Sequence, residues 1–396
     1  MGRVQVYPSS HGRDYHRLLL QHGSPLLLLD CHQAEQQYHQ LKAALPGVNL
    51  YYAVKSLNHP LLLSALARIG SGFEMASCGE MEQLRQLGIP PQSTIHTHPI
   101  KRDADIRAVL RYGCTTFVVD NADELGKFQP YRHRVGLLLR LSFRSRKARV
   151  DLSKKFGCAP AAVGGLLRQA VHLGIHIKGL CFHVGSQCAD ALAQAAAIET
   201  CNEVIRRHHA TGAAPISYLD IGGGFPAPYR NEGLDIELYC APIRKALSAL
   251  PDHVRVIAEP GRFISAPAMT GLTTVIGRAV RDDVRWYYLD DGVYGAFSGQ
   301  LFDHVRYPLV IFSDSHRRFN SVLAGPTCDS IDLIAENLRL PPLQLGDVVA
   351  GRLMGAYTVV SATLFNSLEK TRIVALPDAC HPIEPSRTAL CPTATV

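Results

Sequence analysis

The sequence predicts an α/β protein built from a closed (β/α)8 barrel followed by an antiparallel β domain. Three observations carry this. Eight short apolar runs follow one another from Asn49 onward, mostly separated by helix-like segments, over about 210 residues. After Arg262 the texture changes to β-branched and aromatic runs punctuated by Gly and Pro. The 396 residues exceed the roughly 250 to 300 at which a single core stops growing, so two domains are expected.

The eight runs, in order, are NLYYAVK, GFEMAS, TIHTHP, TTFVVD, VGLLLRL, IKGLCFHV, YLDIGG and VRVIAEP. Nearly continuous apolar strands alternating with helices indicate a parallel sheet that is covered on its outside. Helical spacing is clearest at 60–69 and 79–87, and a further helix at 33–44 leads into the first barrel strand. Later runs, AMTGLTTVIGRAV, VRWYYLDDG, YPLVIF, DVVAGRL and AYTVVSATLF, are expected as β-domain strands. The segments 4–7 and 25–30 either add strands to that domain or cross into the barrel. The expected division is a barrel over 25–262, with 1–24 and 263–396 forming the β domain.

Composition narrows the function classes. Hydrophobic residues make up 47% and charged residues 19%, the profile of a folded globular chain. No run of about 18 apolar residues is present and residues 1–15 start polar, so neither a membrane span nor a secretory leader is expected and a cytoplasmic location follows. The formal charge of +7 does not gather into a nucleic-acid-binding stripe, because even the densest basic stretch, 144–155, is interrupted. Eleven cysteines without a C-x-x-C pair suit reduced thiols, and no metal site is expected.

Barrel enzymes carry their chemistry at the C-terminal ends of the strands. Lys55 closes the first run, and its burial is expected to lower its pKa, giving the neutral amine that forms an imine with an aldehyde. Taken alone, it reads first as a snorkelling lysine at a strand end. Gly222, Gly223 and Gly224 follow the seventh run with three backbone N–H groups free of side chains, a cradle for phosphate or simply a tight turn. Glu259 ends the eighth run before Pro260, Gly261 and Arg262, either as the partner of a protonated ring nitrogen or as a structural partner of the arginine. His183 ends the sixth run and by itself is an ordinary core histidine. One shared ligand at one rim explains all four together.

The order and wording of eight motifs, YYAVKSLNHP, GFEMASCGE, CFHVGSQ, LDIGGGFP, AEPGRF, DDGVYGAFSGQLFDH, GPTCDSID and MGAYTVV, resemble the ornithine and diaminopimelate decarboxylase family over 25–366. The resemblance implies an alanine-racemase-like barrel plus a β domain, pyridoxal 5'-phosphate as cofactor and decarboxylation of an amino acid. It also implies roles. Lys55 is similar to the Schiff-base lysine, and His183 to the imidazole that stacks on the cofactor ring. Ser186, Gly222, Gly223, Gly224, Gly261, Arg262 and Tyr357 match phosphate-site positions. Glu259 matches the carboxylate that keeps the ring nitrogen protonated, and Glu74 stands near that ring where many relatives have Asp. Cys328 matches the general acid supplied by the other subunit of a homodimer, while Asp303 and Asp329 match substrate-binding positions.

For the substrate, two carboxylates suit a distal ammonium group, and the Asp after Cys328 is closer to the ornithine branch than to the diaminopimelate pattern. Ornithine or lysine, giving a diamine for polyamine biosynthesis, is the expectation. Arg306, close after Asp303, leaves open a substrate with a second carboxylate, either diaminopimelate or a citryl-conjugated diamino acid of siderophore type. Phe365-Asn366-Ser367 also departs from the glycine common in the ornithine branch. A racemase would need a catalytic tyrosine in place of Cys328-Asp329, and an inactive regulatory homologue would have lost Lys55 or its supporting residues.

Overall fold

A computed structural model describes residues 4–143, 148–150, 153–229 and 233–377. The eight runs form eight parallel strands that close in sequence order: β1 Asn49–Ala53, β2 Gly72–Met75, β3 Thr94–His96, β4 Thr116–Val119, β5 Gly136–Leu141, β6 Ile177–Phe182, β7 Tyr218–Asp220 and β8 Arg255–Ala258. Closure is made where Ile257 and Ala258 of β8 pair with Asn49 and Leu50 of β1. Ile95, Val118, Leu138, Cys181 and Ile257 pack together as a buried cluster, with Tyr51 and Tyr218 against it. These strands are apolar on both faces because helices cover the outside.

Local signals set the helix starts. Asp30 caps the helix Cys31–Ala44 by accepting the Gln33 N–H at 3.1 Å, and Ser77 caps Cys78–Gln86 through the Glu80 N–H. Pro60 opens Pro60–Arg68, where its missing N–H costs nothing.

The β domain departs from expectation in three ways. Its sheet is mixed: Val4–Tyr7 runs parallel to Leu309–Phe312, Val284–Leu289 to Phe319–Ala324, and Arg372–Ala375 to Leu26–Leu29. The long strand Met269–Arg281 provides the antiparallel pairings to Leu26–Leu29, Val348–Gly351 and Val284–Leu289. Leu26–Leu29 thus belongs to this sheet, and the barrel side starts at Cys31 instead of residue 25. Residues 1–24 contribute a helix, Arg13–His22, as well as a strand.

The run AYTVVSATLF is not a strand. Tyr357 has φ +56°, and its N–H donates to the Ser56 carbonyl at 2.9 Å, so tertiary docking on the barrel overrides β-branched propensity. Strands Phe319–Ala324 and Leu333–Leu340 escaped the sequence reading because Asn320 and Glu336-Asn337 interrupt their apolar pattern.

Among the described residues, no helix is long and apolar enough to cross a membrane and no His/Cys/Asp/Glu group is arranged to hold a metal ion. Nine cysteines there are free thiols. Cys380, Cys391 and part of the basic stretch 144–155 lie outside the described residues.

Candidate active site

The C-terminal rim of the barrel gathers most of the residues singled out by sequence. Lys55 sits in a single helical turn, Val54–Ser56, just past β1. It keeps 41% of its side-chain surface open into the barrel mouth, while Glu74 at the end of β2 is fully buried and forms an ion pair with it. Burial is the largest influence on Lys55 and pulls its pKa down. Glu74, Tyr357 and Glu259 together outweigh it, so the amine is held above its usual range. The expected lowering by burial is therefore corrected: a lysine that keeps its carboxylate partner remains an ammonium ion. The other oxygen of Glu74 accepts from the Thr97 hydroxyl.

His183, just past β6, is driven down to about 3 by burial and then by Arg140 and Lys55, which makes it a neutral ring. Its Nδ1 accepts the Gly185 N–H at 3.0 Å, which fixes its orientation. The glycine cradle follows β7. Gly222 and Gly224 have φ of +65° and +94°. A Cβ would come within 2.2 Å of the Phe182 carbonyl oxygen at Gly222, and within 2.7 Å of the Glu259 carbonyl oxygen at Gly223. Only glycine fits, and the loop can lie close to a ligand.

Arg262 is only 4% exposed. It donates to Tyr229 and Ser186 at 3.2 Å each and to the carboxylate of Asp303, and its guanidinium lies 4.8 Å from the Tyr357 ring centre. Its Nε has no hydrogen-bond partner among the described residues. Gly261 precedes it where a Cβ would meet that of Ser56 at 3.0 Å. At the end of β8, the Glu259 N–H donates to Gly222 at 2.8 Å, and burial first, then Asp220 and Glu74, hold its carboxyl well above the carboxylate range.

Three predicted residues stand elsewhere. Cys328 is exposed, its N–H donating to Asn366 at 3.1 Å. Asp329 accepts from Tyr294, a hydrogen bond that lowers its carboxyl, and the Tyr294 ring stacks on Phe365 at 4.4 Å. Arg306 is exposed and lines a separate β-domain cavity of about 200 Å³ with Gln300 and Glu336.

The sequence reading missed Thr97, Glu80, Tyr229 and Asp220. Glu80 accepts the Ala76 N–H at 2.6 Å, and burial, then Glu74, raise it to about 7. A carboxyl three residues after Ser77 was visible as a helix-start signal, not as a neighbour of Glu74. Thr97 and Asp220 gain their carboxyl neighbours only when strands close around the barrel, and Tyr229 comes from the loop after β7.

Residues 31–266 match the model of the pyridoxal-dependent decarboxylase family, pyridoxal binding domain. The chain belongs to this family. It is an amino-acid decarboxylase that uses pyridoxal phosphate. The decarboxylase is 36% identical to the lysine/ornithine decarboxylase of Selenomonas ruminantium over 87% of both chains. It is 37% identical to the ornithine decarboxylase of Schizosaccharomyces pombe over 84% of this chain and 79% of that one. A structure of the Vibrio vulnificus lysine/ornithine decarboxylase complexed with cadaverine is 50% identical, covers 92% of this chain and 98% of its own, and superposes with a TM-score of 0.88.

The rim of the decarboxylase suits that cofactor. The glycine cradle and the unpartnered Arg262 Nε suit a phosphate, and Lys55 reaches the open mouth where an aldehyde can be held. Glu259 supplies the carboxyl expected beside a ring nitrogen. Bound there, the cofactor serves as the electron sink for the pair left at the amino acid's Cα when carbon dioxide departs.

Proposed function

We propose that this decarboxylase removes the α-carboxyl group of L-lysine or L-ornithine, producing cadaverine or putrescine in the cytoplasm. The observation that carries this is the 50% identity to the Vibrio vulnificus lysine/ornithine decarboxylase, whose structures hold cadaverine and putrescine. Two carboxylates support it. Asp303 stands on the cofactor rim, and Asp329 keeps a carboxylate that Tyr294 orients. Either suits a distal ammonium group at hydrogen-bonding distance. Arg306 and Glu336 line a separate cavity of the β domain, and the rim cations Lys55 and Arg262 are engaged by Glu74 and Asp303, which disfavours the reading with a second substrate carboxylate.

The chain's own groups divide the work. Lys55 would hold the cofactor, with Glu74 as its proton partner. His183, neutral and locked by Gly185, offers a flat face to the ring. Cys328 returns a proton to Cα. Its exposure, beside the exposed apolar side chains of Ile331, Leu364, Phe365 and Leu368, supports a homodimer in which each subunit lends Cys328 and Asp329 to the other's barrel.

Carbon dioxide release from lysine, ornithine, arginine, diaminopimelate and citryl-conjugated diamino acids tests the substrate. Lysine and ornithine are expected to lead by at least about tenfold in kcat/KM. A preference for diaminopimelate or a citryl conjugate overturns the reading.

A further inference from the structure

Asp220 has no part in the chemistry described so far, yet it is 1% exposed and has no ion-pair partner among the described residues within salt-bridge distance. Lys55 is committed to Glu74, and Arg140 acts on Asp220 through space without forming an ion pair with it. Asp220 ends β7 beside the end of β8, and the backbone ties the two ends together. Ile221 N–H donates to Ile257 at 2.9 Å and Glu259 N–H to Gly222 at 2.8 Å. This places the Asp220 and Glu259 carboxyls within hydrogen-bonding reach of each other. One Asp220 oxygen, Oδ1, is already occupied by the Gly222 N–H at 2.8 Å. The other is left for Glu259.

Two enclosed carboxyls this close do not both ionise at neutral pH. Burial is the leading cause that raises both. Around them, Glu74 adds to the repulsion, while Lys55 acts on Glu259 and Arg140 on Asp220 in the opposite sense, and Cys181 faces both from β6.

We propose that Asp220 is a positioning residue that forms a one-proton pair with Glu259, aiming the Glu259 carboxyl and limiting the pair to a single negative charge. One protonated ring nitrogen is the matching partner. The glycine turn belongs to the same device, because Gly222 both holds Asp220 through its N–H and receives Glu259 through its carbonyl. The proposal does not depend on which amino acid is the substrate.

The test starts with the cofactor-free protein. Infrared difference spectra against pH are expected to show a buried protonated carboxyl at pH 7. In Asp220→Asn and in Glu259→Gln, the remaining carboxyl should titrate at least about one pH unit lower, a tenfold change in protonated fraction. Asn keeps an acceptor for Gly222 and a neutral donor for Glu259. Asp220→Asn loaded with ring-15N pyridoxal phosphate should therefore keep the protonated nitrogen resonance, and its cofactor affinity should stay within about threefold. Asp220→Leu cannot hold Glu259, and its affinity should fall about tenfold or more. A wild-type protein without a protonated carboxyl at pH 7 overturns the proposal. So does an unshifted titration in either variant, or loss of the nitrogen proton in Asp220→Asn. Should Asp220→Asn not fold, Glu259→Gln reads the same titration from the other carboxyl.

Discussion

The barrel rim and the Cys328 surface hold equally polar side chains in opposite ways. On the rim, Glu74 and Arg262 are buried, and each is tied to partners from other strands or from the β domain. On the surface, Cys328 and Asn366 are exposed, Phe365 is 38% exposed, and Asn366 and Ser367 both have positive φ. Burial lets the rim set the charge of Lys55, His183 and Glu259. The surface cluster lies apart from the barrel rim among the described residues. The rim is enclosed by its own chain, whereas the surface cluster fits the homodimer proposed above.

The hardest blow to the rim is Lys55→Ala. It should abolish the visible absorbance of the enzyme-linked cofactor and lower activity by about a thousandfold or more. A surviving band would remove Lys55 from its role. The surface cluster is tested by mixing. Lys55→Ala and Cys328→Ala should each be nearly inactive alone, with Cys328→Ala still carrying cofactor. Randomly reassociated, they should recover about a quarter of wild-type activity, because half the dimers are mixed and one site in each is whole. No recovery would mean that Cys328 does not serve a neighbouring subunit.

A smaller effect sharpens the account of burial. Thr97→Val keeps the shape but leaves one Glu74 oxygen without its donor, and should cost about 1 to 3 kcal/mol of stability in denaturant melts. The smallest is a pH effect. Burial, then Lys101, lowers His96 to about 4 from its ordinary 6.5. The unfolded chain takes up the proton first, so this contribution to stability is complete above about pH 6.5 and is lost as pH falls toward 4. His96→Gln should flatten that part of the stability profile. An unchanged slope would show that His96 is not neutral in the folded barrel.

The eight barrel strands were legible because parallel strands buried on both faces must be apolar throughout, and each then ends in the residue that reaches the rim. Lys55, His183, the glycines, Glu259 and Arg262 were legible for the same reason. Thr97 and Asp220 were not. Each is an ordinary residue until strand pairing sets it against Glu74 or Glu259. The 357–365 run was misread because its β-branched residues speak for a strand, while docking of Tyr357 on Ser56 holds the chain in a left-handed turn.

By itself, the sequence determined the barrel, the lysine at the end of its first strand and the glycine turn after its seventh, since these depend on apolar periodicity and on residue types that few backbones tolerate. Tertiary structure decided the mixed pairing of the β domain and the charge of the site. Pairing depends on which edges meet, and the protonation of Lys55 depends on the carboxylate set beside it, neither of which is written in a local stretch of chain.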